Sequence, residues 1–402
     1  MSPFRSSKTK NLGKILEVFE SRKIGAANLQ DADKKWPSVG GGGITADWLT
    51  LVSGDSYEGG IIYKVDANTY QLWYYPESRT TGGISSNSTP LSGTFTVDQQ
   101  GQIKVYGVGG GGGGRGENSH AGGGGGAFTT DYFNVDNGEQ FTYSVGAGGR
   151  GGVNNTTTNA PYLGDSTNNS TAGGDTTFSA DAGDLSMIAT GGGVGNRVSN
   201  TTSSSDLGFG GTGNIPNNGR SITMTPGTGG TGGGRNFQAA NGTSGGAGGG
   251  GANSGSGTGP TNNVPGYDKG GNGSGTFGGG GGGGNAPGSP APSLRPGGSA
   301  PGTYAYSGGA GGSADEPSVF GQDGDDMVGK TGFPVAFNGG GGLAYKYPHL
   351  PMPGGYPSGW PGVAGSGGGG GFAGGGGGSS WYGGRGLGAD GASGVLVIEW
   401  TV

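Results

Sequence analysis

The sequence contains no cysteine, only two histidines and few charged residues, which make up 12% of the chain. The absence of cysteine excludes disulfide bridges and thiolate metal sites. No run of eighteen apolar residues occurs, and the first thirty residues hold no apolar segment typical of a secretion signal. We therefore expect neither insertion into a membrane nor export through the general secretory route by such a signal.

Glycine is what the sequence has in excess, with 110 of 402 residues. Together with proline it makes up about a third of the chain, a share that without a strict period usually indicates disorder. Long glycine runs lie at 109–114, 122–126, 248–251, 278–284, 339–342, 367–371 and 374–378. Such runs disfavour core helix and strand, because each glycine loses much backbone entropy and buries no side chain. They do allow backbone to pack on backbone, as in polyproline II helices.

Strand-like segments bracket the glycine runs and argue against disorder. Residues 101–108 alternate apolar and polar side chains, and residues 394–402 form the most β-prone stretch. A further strand pair is predicted at 127–135 and 139–145, joined through Asn137-Gly138, a strong hairpin turn signal. We therefore predict a mostly β fold, with a β-framework that displays glycine-rich loops.

Charge and composition divide the chain into three predicted units, which are a basic N-terminal anchor (1–35), a small β module (36–100) and a glycine-rich domain (101–402). The anchor has a net charge of +4, whereas the rest carries −10. The apolar residues that fall on one face of a short helix starting near Asn11 are Ile15, Leu16, Val18 and Phe19. Such a helix is marginal alone, so we predict that it attaches the protein to a larger assembly. An ordinary solvated terminus is the alternative.

The β module contains three short strand-like runs, Trp48–Val52, Gly60–Val65 and Thr69–Tyr75, with a turn at 66–68. Its aromatic residues are Trp48, Tyr57, Tyr63, Tyr70, Trp73, Tyr74 and Tyr75. They could form a carbohydrate-stacking surface, but packing inside a small sheet or at an interface is favoured.

Motifs that would indicate an enzyme lack the structural context that their chemistry needs. Residues 324–331 match the phosphate-binding loop pattern, yet the Gly-Phe-Pro that follows forbids the helix on which phosphate would rest. Residues 242–246 match a nucleophile elbow but follow no predicted strand. The acidic cluster 323–326 lacks the spacing of a calcium loop. We predict no enzymatic activity, no cofactor and no metal site, and the acidic main body disfavours nucleic acid.

An ordered set of motifs carries a resemblance to a known family. It consists of the strand GQIKVYGV, the glycine run ending at Arg115, the segment GGGGGAFTTDYFNV, the close at 145–152 and the terminal GASGVLVIEW. Over residues 95–402 the chain resembles the glycine-rich domain at the end of bacteriophage tail fibres and related adhesins. The resemblance implies bundled polyglycine II helices whose tips carry variable loops that contact the host surface.

The resemblance implies a phage virion protein, located on the distal tail fibre or the particle surface. Its partners would be other virion proteins, through residues 1–35, and a bacterial surface glycan or outer-membrane protein. The aromatic residues in loops near the last glycine runs are the receptor-binding candidates Tyr345, Tyr347, Tyr356, Trp360, Trp381 and Tyr382. The oligomeric state stays open, a trimer included. The alternative is a decoration fibre on capsid or tail without receptor specificity. In that case these aromatic rings cover the ends of the bundled polyglycine II helices.

Overall fold

The computed structural model describes residues 56–57, 60–64, 68–76, 90–114, 121–151, 170–194, 207–233, 238–251, 270–275, 278–282, 297–299, 374–377 and 390–402. No helix among these residues has the length and apolar character needed to cross a membrane. The strands are β1 (Ser56–Tyr57), β2 (Gly60–Lys64), β3 (Thr69–Tyr74), β4 (Leu91–Thr96), β5 (Gly101–Val108), β6 (Ala127–Thr130), β7 (Phe133–Val135), β8 (Gln140–Val145), β9 (Thr176–Ala180), β10 (Leu185–Ala189), β11 (Gly213–Asn218), β12 (Met224–Gly227) and β13 (Val395–Thr401).

The strands form two antiparallel sheets that face each other. The first has the order β1-β2-β3-β13-β5-β6-β12, with β7 beside β5, and the second has the order β11-β10-β9-β8-β4. One hydrophobic core lies between them and takes side chains from both sheets. The mostly β fold predicted from the sequence is therefore confirmed.

Aromatic side chains dominate this core. Phe141 stacks on Phe178 with ring centroids 4.8 Å apart, and the edge of one ring in the Phe95–Trp400 pair meets the face of the other at 5.3 Å. The largest fully buried side chains are Trp73, Trp400, Tyr70, Tyr74, Tyr143, Phe95, Phe128, Phe141 and Phe178. Because Tyr70, Trp73, Tyr74 and Tyr75 are all buried, packing rather than carbohydrate stacking accounts for these aromatics of the predicted β module.

The strands predicted at both ends of the glycine-rich region are confirmed. β5 covers 101–108, with Ile103 and Val105 fully buried and Gln102 exposed, as the alternation predicts. β13 runs between β3 and β5 and pairs with both. The boundary predicted at residue 100 falls in the turn between β4 and β5, inside the sandwich. The strand predicted at Trp48–Val52 lies outside the described residues.

The hairpin predicted at Asn137-Gly138 is wrong in its pairing. The turn is present, and Gly138 adopts the left-handed conformation with φ of 82°. However, β7 before it pairs with β5 in the first sheet, whereas β8 after it pairs with β4 and β9 in the second. The turn carries the chain from one sheet to the other because Val135 and Phe141, on either side, both bury in the core between them. The Asn-Gly sequence determines the local turn, whereas burial of side chains in the core determines which strands pair.

The sandwich has two unlike ends. At one end, here called the turn end, tight turns at 97–100, 136–139, 181–184 and 219–223 connect the strands. At the other end, β5, β8, β10 and β12 run directly into glycine-rich segments, and β6, β9, β11 and β13 emerge from such segments. The chain enters β1 heading from the turn end toward the glycine end, because β1 and β3 both run antiparallel to β2.

Candidate functional site: the glycine bundle and its outer end

The glycine segments continue the two sheets as two stacked layers. Those continuing the first sheet are 391–394, 109–114, 121–126 and 228–233, and those continuing the second are 146–151, 171–175, 190–194 and 208–212. Each strand thus fixes the starting position of one glycine segment. We call the whole assembly the glycine bundle.

Hydrogen bonds of segment 109–114 leave in three directions. Its first and fourth N–H groups donate to segment 121–126, its second and fifth to segment 171–175, and its third to Ala392, over 2.8–3.0 Å. Partners that repeat every third residue are the signature of a helix with three residues per turn and no internal hydrogen bonds. The segment is therefore a polyglycine II helix.

Carbonyl groups supply three further neighbours to the same segment. The oxygens of Gly110, Gly111 and Gly112 accept from Gly192, Gly149 and Gly376, respectively. Segment 109–114 is thus surrounded by six others, and the same count holds for 121–126 and 246–251. Six neighbours around one rod is hexagonal packing, so the glycine bundle is a hexagonal lattice of backbone.

Further glycine segments extend the lattice outside the layer of the first sheet. A third layer contains 374–377, 246–251 and 238–240, a fourth contains 278–282 and 270–274, and 297–299 forms a fifth. Each layer bonds to the one before it, as when Gly376 donates to Gly112 and Gly298 donates to Gly281. Among the described segments the layers narrow outward, and most contacts between them are hydrogen bonds between peptide groups.

The lattice spacing excludes side chains at most positions. A Cβ added at Gly112, Gly113 or Gly281 would lie well under 3.0 Å from a neighbouring carbonyl oxygen, a separation that real Cβ atoms essentially never show. Fully buried alanines stand at a few positions, such as Ala247 and Ala392, where the lattice leaves room for a methyl group. The glycine content of this region is therefore a packing requirement.

The chain leaves the described lattice at its outer end, away from the sandwich. Segments 109–114, 146–151, 190–194 and 228–233 all run outward from strands and return by an antiparallel partner. The stretches that begin and end there are 115–120, 152–169, 195–206, 234–237, 252–269, 283–296 and 378–389. The bundle thus gathers the attachment points of seven sequence inserts at one end of the molecule.

The predicted site residues belong to stretches outside the described residues. Tyr345, Tyr347, Tyr356 and Trp360 fall in 300–373, and Trp381 and Tyr382 fall in 378–389, one of the seven inserts at the outer end. The anchor candidates Ile15, Leu16, Val18 and Phe19 also lie outside. These assignments remain predictions.

Phe209 is an exposed aromatic residue that sequence reasoning missed. It lies within segment 208–212 and keeps 57% of its surface exposed. Its carbonyl oxygen accepts from Gly193 over 2.7 Å, so the backbone belongs to the lattice while the ring remains accessible. The sequence feature that could have identified Phe209 is a single aromatic residue between two glycines.

A cleft of about 740 Å³ lies at the turn end, around Arg220. The Arg220 guanidinium donates two hydrogen bonds to Asp184, at 2.9 and 3.1 Å, pairs with Glu139 and stands over the ring of Phe141. Burial lowers the pKa of Arg220, but these bonds outweigh burial and raise it. Arg220 thus pins the β11–β12 turn to the second sheet. No described group of His, Cys, Asp or Glu side chains could hold a metal ion.

The outer face of the first sheet carries a second polar network. Gln71 donates to Glu399 over 2.8 Å, Trp73 donates to Gln71 over 3.3 Å, and the Tyr132 hydroxyl also donates to Glu399. Burial, followed by the bond to Glu399, raises the pKa of Tyr132. Because these groups satisfy one another, the network fits a structural role better than a binding site.

The profile of one protein family, described as a glycine-rich domain, matches residues 87–313, more than half of the chain. The chain belongs to the glycine-rich domain family. The match begins shortly before β4 and includes β4 to β12 together with glycine segments up to 297–299. A comparison with curated proteins gives no match. In this glycine-rich domain, β13 returns from beyond the matched range to pair with β5.

Proposed function

We propose that this glycine-rich domain protein is a component of a bacteriophage particle that contacts the host cell surface through the inserts at the outer end of the glycine bundle. The observation that carries the proposal is the convergence of seven inserts on one end of a backbone lattice. The inserts differ in length, most are rich in Asn, Thr or Ser, and four of the seven contain aromatic residues, a combination suited to adaptable recognition.

The architecture supports display because scaffold and inserts are kept separate. The lattice requires glycine at its contacts, so its sequence has little freedom to vary, whereas the inserts contain many other residue types. Recognition residues on loops that a rigid scaffold positions are a common solution in binding proteins. The resemblance to fibre-tip adhesins points to a bacterial glycan or outer-membrane protein as the receptor.

The turn end is the side from which the protein would be attached. The chain enters β1 heading from the turn end toward the glycine bundle. The basic segment 1–35 precedes that entry and is proposed to bind another virion protein. Attachment at one end and recognition at the other is the arrangement that a fibre tip requires.

The test is competition between purified protein and intact particles for adsorption to host cells. We expect the wild-type protein to reduce adsorption of particles. In the variant, residues 378–389 are replaced by the same number of glycine and serine residues, and we expect this variant to compete less well at an unchanged melting temperature. A control with Gln99→Ser and Gln100→Ser at the turn end should compete like wild type. If the folded variant with residues 378–389 replaced competes normally, or if wild type does not compete, the decoration-fibre alternative is supported instead.

A further inference from the structure

Several peptide N–H groups of the glycine bundle are bonded by side chains instead of by other glycine segments. Their donor and acceptor pairs are Gly191 to Asp175, Asn272 to Asn241, Ser299 to Asn272, Thr212 to Thr190 and Arg150 to Thr171. The distances run from 2.7 to 2.9 Å. Three residue types, Asp, Asn and Thr, thus serve as side-chain acceptors for backbone N–H groups of the lattice.

Segment 190–194 shows where such a group lies in the lattice. Its first and fourth N–H groups donate to segment 208–212, and its third donates to Gly110. By the three-residue repeat, the N–H of Gly191 points in the remaining direction, in which none of the described glycine segments lies. The carboxylate of Asp175 accepts this bond at 2.9 Å and is itself exposed. Gly191 is therefore at the edge of the lattice.

Asparagines form a ladder along another edge. Asn241, which directly follows the third-layer segment 238–240, accepts from the backbone of Asn272 in the fourth layer, and Asn272 accepts from both the backbone and the hydroxyl of Ser299 in the fifth. The N–H groups of Gly271, Gly273 and Ser274 in the same segment donate to backbone carbonyls of neighbouring segments. Here side-chain oxygens accept hydrogen bonds from backbone N–H groups that could otherwise donate to a backbone carbonyl of another segment.

We propose that these side chains close the lattice at its edges and keep glycine segments of a second copy from adding to it. A row of unpaired peptide groups is a template for another chain, as at the exposed edge strand of a sheet. A hexagonal backbone lattice offers such rows in several directions, and glycine presents no side chain that would block approach. Side-chain acceptors placed on the edge N–H groups remove the template and leave a polar surface.

The test is the association state of a variant that lacks the caps, with Asp175→Ala, Asn241→Ala and Asn272→Ala combined. We expect sedimentation velocity to show species at least one copy larger than wild type, growing with protein concentration, while cooperative melting is retained. Asp175→Asn keeps an oxygen acceptor without the charge and should sediment like wild type. Asp136→Ala, which removes a carboxylate at the turn end, should also sediment like wild type.

The outcomes that would overturn the proposal are specific. A folded triple variant that sediments like wild type shows that the caps do not limit association. Association of Asp136→Ala to the same degree assigns the effect to lost charge. If the triple variant does not melt cooperatively, Asp175→Ala alone decides, because its side chain is exposed at the edge. Association of that variant supports the proposal, and wild-type sedimentation rejects it.

Discussion

At the scale of the residue, glycines at different positions of the glycine bundle differ in whether a side chain could replace their hydrogen. Gly192 and Gly193 are neighbours in one segment. A Cβ at Gly192 would overlap the carbonyl oxygen of Gly123, whereas a Cβ at Gly193 would meet the Phe209 nitrogen at 3.1 Å, tight but open to a small shift. The difference arises because the Cβ position of Gly192 lies against the backbone of segment 121–126, whereas that of Gly193 meets segment 208–212 at a longer distance.

This difference predicts unequal costs for the same substitution. Gly192→Ala should lower the free energy of unfolding by about 1–3 kcal/mol or more, because backbone must move to admit the methyl group. Gly193→Ala should change it by less than about 1 kcal/mol, since the lost chain entropy of the unfolded state partly offsets the tight contact. Urea unfolding of both variants measures the difference. Equal stabilities would show that the segments do not pack as the lattice requires.

At the scale of the element, the sequence predicts strands better than their partners. β5 and β13 are predictable because they alternate or concentrate β-prone residues. β9 to β12 are not predicted, and β11, with the sequence GNIPNN, reads as a loop by composition. It forms a strand because it pairs with β10 at the edge of the second sheet, where a proline is tolerated.

Polyglycine II packing is predicted from the family resemblance, but the neighbours of each segment are not. One glycine run looks like another, because no side chain encodes its partner. The strands supply that information: β5 and β6 pair in the sheet, and segments 109–114 and 121–126 continue side by side from them. Likewise, the role of Asp175 or Asn241 depends on a lattice edge that exists only after folding.

The N-terminal segment gives a prediction about attachment. Deletion of residues 1–35 should release the protein from its assembly and leave the sandwich folded, because all described core residues lie beyond this segment. Circular dichroism and thermal melting of the truncated protein would check the fold. Its incorporation into particles, compared with full-length protein, would check attachment. Normal incorporation of the truncated protein would refute the anchor.

At the scale of the whole molecule, the two ends follow different physical rules. The sandwich buries aromatic side chains between two sheets and is stabilised by the hydrophobic effect. The glycine bundle buries peptide groups that bond to one another in three directions. A strand that continues into a polyglycine helix joins the two without a hinge, so the position of the outer end is set by the core. The described lattice residues at which the inserts begin and end are therefore fixed relative to the core, although the lattice there has almost no side chains.

The aromatic residues of the inserts test whether that outer end recognises a receptor. We expect Trp381→Ala, in the outer-end insert 378–389, to weaken adsorption of particles to host cells by about 2 kcal/mol or more for a true anchor, because binding energy concentrates in a few Trp, Tyr and Arg side chains. Tyr132→Ala is the matched control, since it removes a ring that is 43% exposed on the sandwich, far from the outer end. Adsorption lost at an unchanged melting temperature supports recognition. A lowered melting temperature with normal adsorption by the folded protein would show instead that these rings cap the glycine bundle, because removing a buried ring costs stability.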